Sequence, residues 1–148
     1  MVGIASIGNS VGRIFWAWIS DAITRRWTFA MMFLIQVLLF WISPNIVSVS
    51  ILTVVSFIIL MCYGGGFGTM PAFAADYFGS KNVGPIYGLM ITAWGFASAF
   101  GPLLIAQLRQ RSGSYTSGLH VIACIMALSV LLPILVSPPK SVTAESRV

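Results

Sequence analysis

Apolar runs of about twenty residues, nearly free of charge, recur from one end of the chain to the other. Each is long enough to cross a bilayer as a helix, because about 20 residues at about 1.5 Å rise match a hydrocarbon core of about 30 Å. The runs are continuous rather than alternating, which excludes the strands of a membrane barrel. Charged residues make up 7% of the chain and hydrophobic ones 58%. A soluble domain carries roughly 25% charge, so this surface is meant for lipid. The expected fold is all-α, a polytopic transmembrane helix bundle of five spans.

The spans are expected at residues 2–19, 27–42, 46–71, 85–108 and 116–136. The second is closed by Ser43-Pro44-Asn45, the third fades through Gly64-Gly65-Gly66 towards Pro71, and Pro138-Pro139 follows the fifth. Residues 1–137 thus form the bundle and 138–148 a tail. The first span, at roughly 27 Å, is barely long enough, as if its beginning lay further upstream. No basic region precedes it, so it does not read as a signal peptide. The net charge of +5 belongs to the connectors rather than to a nucleic-acid surface. Arg25, Arg26, Lys81, Lys140 and Arg147 fall on one side and Arg109 and Arg111 on the other. By the positive-inside rule the first side, with the C-terminus, is expected in the cytoplasm, and the N-terminus outside. The membrane expected is the plasma (inner) membrane.

One cation breaks the apolar pattern. In "GRIFWAWISDAITRR", Gly12 to Arg26, Arg13 stands eight residues before Asp21. That is about 12 Å along a helix, so with Asp21 at the rim Arg13 lies near the bilayer midplane. A cation there costs about 2.5–3.5 kcal/mol on insertion scales. Ser6, Asn9, Arg13 and Ser20 share one helical face, and such a polar stripe is expected to meet a wet cavity or another helix. A planar guanidinium in a wet cavity suits a carboxylate. The bland readings are that Arg13 snorkels to the headgroups or pairs with an acid inside the bundle. Asp21, Asp76 and Glu145 read as rim, loop or tail residues, which weighs against the pair.

Small residues mark close helix approach. Gly8 and Gly12, Gly64 and Gly68, and Gly84 and Gly88 each form G-x-x-x-G, and Gly95, Ala99 and Pro102 extend the last pair into a seam. Packing alone explains any one pair; their density also suits helices that slide.

Enzymatic patterns fail on context. "GNSVG" matches the serine-hydrolase elbow, but that motif needs a strand before it and His and acid partners. The single histidine, His120, opens the fifth span. There is no phosphate-binding loop, no C-x-x-C and no cluster of metal-ligand residues, so no enzyme, cofactor or metal is expected. Cys62 and Cys124 read as buried thiols without function.

"GRIFWAWISDAITRR" resembles the loop signature of the major facilitator superfamily, roughly G-x-x-x-D-x-x-G-R-R, in its copy between the eighth and ninth helices. Asp21, Arg25 and Arg26 match, while Ala17 and Thr24 replace two glycines. "YGGGFGTMPAFAADYFGSKNVGPIYGLMITAWGFASAFGPLL", Tyr63 to Leu104, is similar to the oxalate/formate antiporter and monocarboxylate branch. The resemblance covers nearly the whole chain as helices eight to twelve, a partial major facilitator fold whose N-terminal half is missing.

The resemblance implies a secondary transporter of small organic anions. Arg13 falls where that branch binds the substrate carboxylate, with Asn9 beside it. The eleventh-helix lysine of oxalate transporters is replaced by Trp94 within Thr92-Ala93-Trp94-Gly95. One cation in place of two favours a monocarboxylate such as formate, lactate or pyruvate; Trp94 as a plain wall residue is the alternative. Asp21, Arg25 and Arg26 are implied to latch the gate, Asp21 facing a fifth helix outside this chain; the plain alternative is that Arg25 and Arg26 only fix topology. Gly84-Pro85 reads as a helix start with Pro at its first position. The implied partners are the substrate anion, the bilayer and the missing half, supplied by the same gene product or by a separate chain. A non-transporting sensor or assembly partner, or an inactive truncated product, stay open as alternatives.

Overall fold

A computed structural model describes residues 2–136. The expected tail, 138–148, lies outside the described residues. Five helices account for nearly all of them: α1 Val2–Ala22, α2 Arg25–Ile42, α3 Val49–Phe78, α4 Val83–Ser112 and α5 Thr116–Leu135. No strand occurs among the described residues. Of these helices α2, α3, α4 and α5 are long and apolar enough to cross a membrane. At 21 residues α1 is long enough, but the polar stripe through Asn9 and Arg13 lowers its hydropathy.

The breaks between helices have local causes. Only Ile23 and Thr24 separate α1 from α2, and the Thr24 carbonyl accepts from both the Thr28 amide (3.1 Å) and the Thr28 hydroxyl (2.9 Å). Pro44, in a short 3₁₀ turn over Ser43–Asn45, stops α2. Gly113 ends α4 in the left-handed conformation (φ 72°), its amide returning to the Arg109 carbonyl at 2.9 Å. Any side chain there would be strained.

Two boundaries differ from the sequence-based expectation. The third helix does not fade at Pro71 but continues to Phe78, with Pro71 inside it. Proline removes one backbone bond, and packing in a membrane bundle readily tolerates that loss. Asp76 is consequently a last-turn helix residue rather than a loop residue. The fourth helix starts at Val83, so Pro85 is its third residue, not its first. It still lies in the first turn, where amides have no intrahelical partner to lose.

Two helix pairs form the bundle. α1 and α3 run parallel with glycine at the contact from both sides. A β-carbon on Gly8 would lie 2.7 Å from the Phe57 carbonyl oxygen, and one on Gly68 2.7 Å from that of Arg13. Gly12 sits against the Met61 backbone, Gly64 against that of Asn9, and Gly65 against the Trp16 ring. α2 and α5 run antiparallel, with His120 stacked on Trp41 (4.6 Å between centroids) near one end and Arg26 bonded to the Ile134 carbonyl near the other. A core of Trp16, Met32 and Cys62 joins α1, α2 and α3, packed round by Ile19, Phe29, Ile35, Ile58 and Met61.

The fourth helix is the exception. None of its residues is buried. Its expected small-residue seam meets nothing: no atom lies within 4 Å of a β-carbon placed on Gly84, Gly88 or Gly95. The close approach expected there is therefore not made among the described residues. The first two glycine pairs do pack, Gly8 and Gly12 on Phe57 and Met61 of α3, and Gly64 and Gly68 on Asn9 and Arg13 of α1.

Candidate functional site

Arg13 lies on the face of α1 just beside the α1–α3 seam. Its backbone touches Gly68, while its side chain is exposed. It has no hydrogen-bond or ion-pair partner among the described residues, so the structural pairing considered above is not made. Asn9, one turn earlier, is drawn further into the seam. Its side-chain Oδ1 faces Gly64 and is buried without a hydrogen-bond partner. An unmatched amide oxygen in a dry seam is costly. The polar stripe thus ends in two groups with unused bonding capacity, a cation and an amide.

Trp94 projects from α4 onto a different face of α3. Its indole N–H donates to the Tyr63 hydroxyl at 2.8 Å, and its ring meets Phe67 edge-on at 5.5 Å. Tyr63 and Phe67 in turn contact each other edge-on at 5.2 Å. They sit roughly 100° round α3 from the Gly64 and Gly68 face that receives α1. Arg13 and Asn9 are therefore brought together, and Trp94 belongs to an aromatic cluster on the adjoining face. Tyr63 and Phe67 did not stand out in the sequence reading. Their signal was there in the i, i+4 spacing of two rings beside a glycine cluster, which opens space for them.

At the Arg25 end, polar contacts tie the helices together. Arg25 pairs with Asp21, one turn away, and with Asp76 at 3.1 Å, and it donates to the Ser20 hydroxyl at 2.9 Å. One guanidinium thus joins the ends of α1, α2 and α3. Arg26 donates to the Ile134 carbonyl and lies 5.9 Å from the Trp27 ring centroid, which ties in α5. Tyr77 adds a hydrogen bond to the Val136 carbonyl at 3.3 Å. Asp21 itself is largely exposed. Asp76 read from sequence as a loop acid with no partner assigned, yet the seam register places it. Gly68 lies against Arg13, an offset of 55; the same offset from Asp21 is Asp76.

A parallel glycine-packed helix pair, an antiparallel pair beside it, apolar spans and a basic clasp at one end define a multi-pass integral membrane protein. The family model described as Major Facilitator Superfamily matches residues 1–147. The chain belongs to the major facilitator superfamily, a family of membrane transporters that is generally non-enzymatic. No match is found among curated proteins or among solved structures.

Proposed function

We propose that this chain forms helices eight to twelve of a secondary transporter for small monocarboxylates, of the size of formate, lactate or pyruvate. The observation that carries this reading is the guanidinium of Arg13, exposed beside a helix seam and paired with no acid among the described residues. Asn9 offers a neighbouring amide. Trp94 spends its only donor on Tyr63, so it presents a ring rather than a second polar contact. One cation against an aromatic wall suits one carboxylate on a small apolar body better than two carboxylates. Exchange and proton-coupled transport both remain compatible with this site. In the same reading the Arg25 clasp is the cytoplasmic gate, the C-terminal tail is intracellular, and the uncovered face of α4 receives the other half of the carrier.

The test is uptake of labelled lactate, pyruvate and formate by liposomes holding the complete carrier that contains these helices. Arg13→Ala is expected to abolish saturable uptake and Arg13→Lys to retain part of it, with a raised KM, because lysine keeps the charge and loses the planar fork. Unchanged uptake by Arg13→Ala would remove the anchor. Equal affinity for oxalate would remove the preference for a single carboxylate.

A further inference from the structure

A cavity lies on the far side of α3 from α1. It is half open, measures about 190 Å³ and sits among α2, α3, α4 and α5. Its walls are rings and thioethers: Phe33, Phe67 and Trp94 with Met70 and Met126. Besides the Cys62 thiol and the Tyr63 hydroxyl, which accepts from Trp94, the polar group in the lining is Gln36. This amide lies in the middle of the most apolar part of α2, is 8% exposed, and lines the cavity. It makes no hydrogen bond with any described residue. A glutamine there is expensive in lipid unless something bonds it. Thr28, Thr53 and Thr69, other polar side chains on these helices, each bond a carbonyl one turn back. Gln36 does not, and it is one of the residues that line the cavity.

We propose that this cavity is a binding site for a neutral, single-ring molecule carrying one hydrogen-bonding substituent, phenol being the simplest case. Size sets the ring: a dry cavity of about 150 Å³ is known to take benzene, and the present one leaves room for one substituent more. The walls set its character, because rings and methionine sulfur pack favourably on an aromatic edge. Gln36 sets the substituent, since its amide accepts from a hydroxyl or donates to it. Charge is excluded, because no ionisable partner other than the Cys62 and Tyr63 side chains faces the space. A lipid acyl chain would fill the volume and leave the amide unmatched. This site lies across α3 from the Arg13 side chain and does not depend on that anchor; Trp94, which the proposed transport reading also uses, is one of its walls.

The experiment is photolabelling of the purified chain in detergent with a hydroxyphenyl trifluoromethyl diazirine, read by peptide mass spectrometry. Phenol and toluene serve as competitors, and their concentrations are corrected for measured partition into micelles. Adducts are expected on the cavity-facing peptides of α2, α3 and α5. Phenol is expected to protect about five- to tenfold better than toluene, the worth of one buried hydrogen bond. Gln36→Leu and Gln36→Met are each expected to erase that advantage while leaving protection by toluene. Met126→Trp, which fills the space, is expected to remove the labelling, with Arg13→Ala as an unaffected control. Labelling spread evenly over the lipid-facing helices and unprotected by phenol would overturn the site and make it a detergent or acyl groove. A phenol advantage that survives both Gln36 variants would overturn the role of the amide.

Discussion

Replacing Gly64 by alanine tests the α1–α3 seam most directly. The new methyl would press on the Asn9 backbone carbonyl and lie 2.5 Å from its Oδ1. Ordinary contact for such a carbon begins near 3.4 Å. The atoms met are mainly backbone, so no rotamer change relieves them, and the helices must part by about 1 Å. A gap of that size forfeits a quarter to a half of each dispersion contact along the seam. Overpacking of this kind costs about 1–3 kcal/mol. Gly12→Ala presses on the Met61 backbone from the other helix and should cost a similar amount. One separation relieves both clashes, so the double variant should cost clearly less than the sum of the singles. Gly88→Ala on α4 is the control: nothing lies within 4 Å, and alanine is the better helix former, so it should be neutral or slightly stabilising. Unfolding by sodium dodecyl sulfate in mixed micelles, followed by tryptophan fluorescence, measures all four. Equal damage from Gly88→Ala and Gly64→Ala, or strict additivity of the seam pair, would refute the reasoning.

Three further outcomes are expected. Arg25→Ala, which removes the bonds to Ser20, Asp21 and Asp76 together, should destabilise the same micellar state more than Asp76→Asn; the latter should stay within about 1 kcal/mol because the Asp76 carboxylate is half-exposed. A double-mutant cycle on Trp94→Phe and Tyr63→Phe should return a coupling of about 0.5–1.5 kcal/mol, the size of one hydrogen bond, and a value near zero would deny the contact. A lipid-soluble maleimide should modify exposed Cys124 much faster than Cys62, which is buried in the α1–α2–α3 core, as counted by intact mass against time.

Much of this architecture was legible because it follows from one-dimensional pattern. The five helices follow from run length, and close approach at Gly8, Gly12, Gly64 and Gly68 from G-x-x-x-G, though not which helices meet there. What stayed hidden depends on register between distant segments. Pro71 read as a terminator because its lost backbone bond is visible in sequence and the packing that tolerates it is not. Asp76 read as a loop acid for the same reason, and only the 55-residue offset of the seam sets it beside Asp21 and Arg25. Arg13, Asn9 and Trp94 were singled out, and the fold puts the first two together and the third on the adjoining face. Gln36 was overlooked because a single amide in an apolar run has no periodicity to betray it.

The pairing of helices also has a consequence for how the chain enters the membrane. Neither main partnership is between neighbours in sequence: α1 waits for α3, and α2 for α5. Roughly 70 residues must still be synthesised after α2 leaves the ribosome before its mate exists, on the order of 4–15 seconds at ordinary elongation rates. During that interval the Gln36 amide stands in lipid without α5 and the Arg26 guanidinium lacks the Ile134 carbonyl. Helix insertion here must outrun assembly, and a stop codon inside the final span would strand the second helix, however sound the rest of the protein.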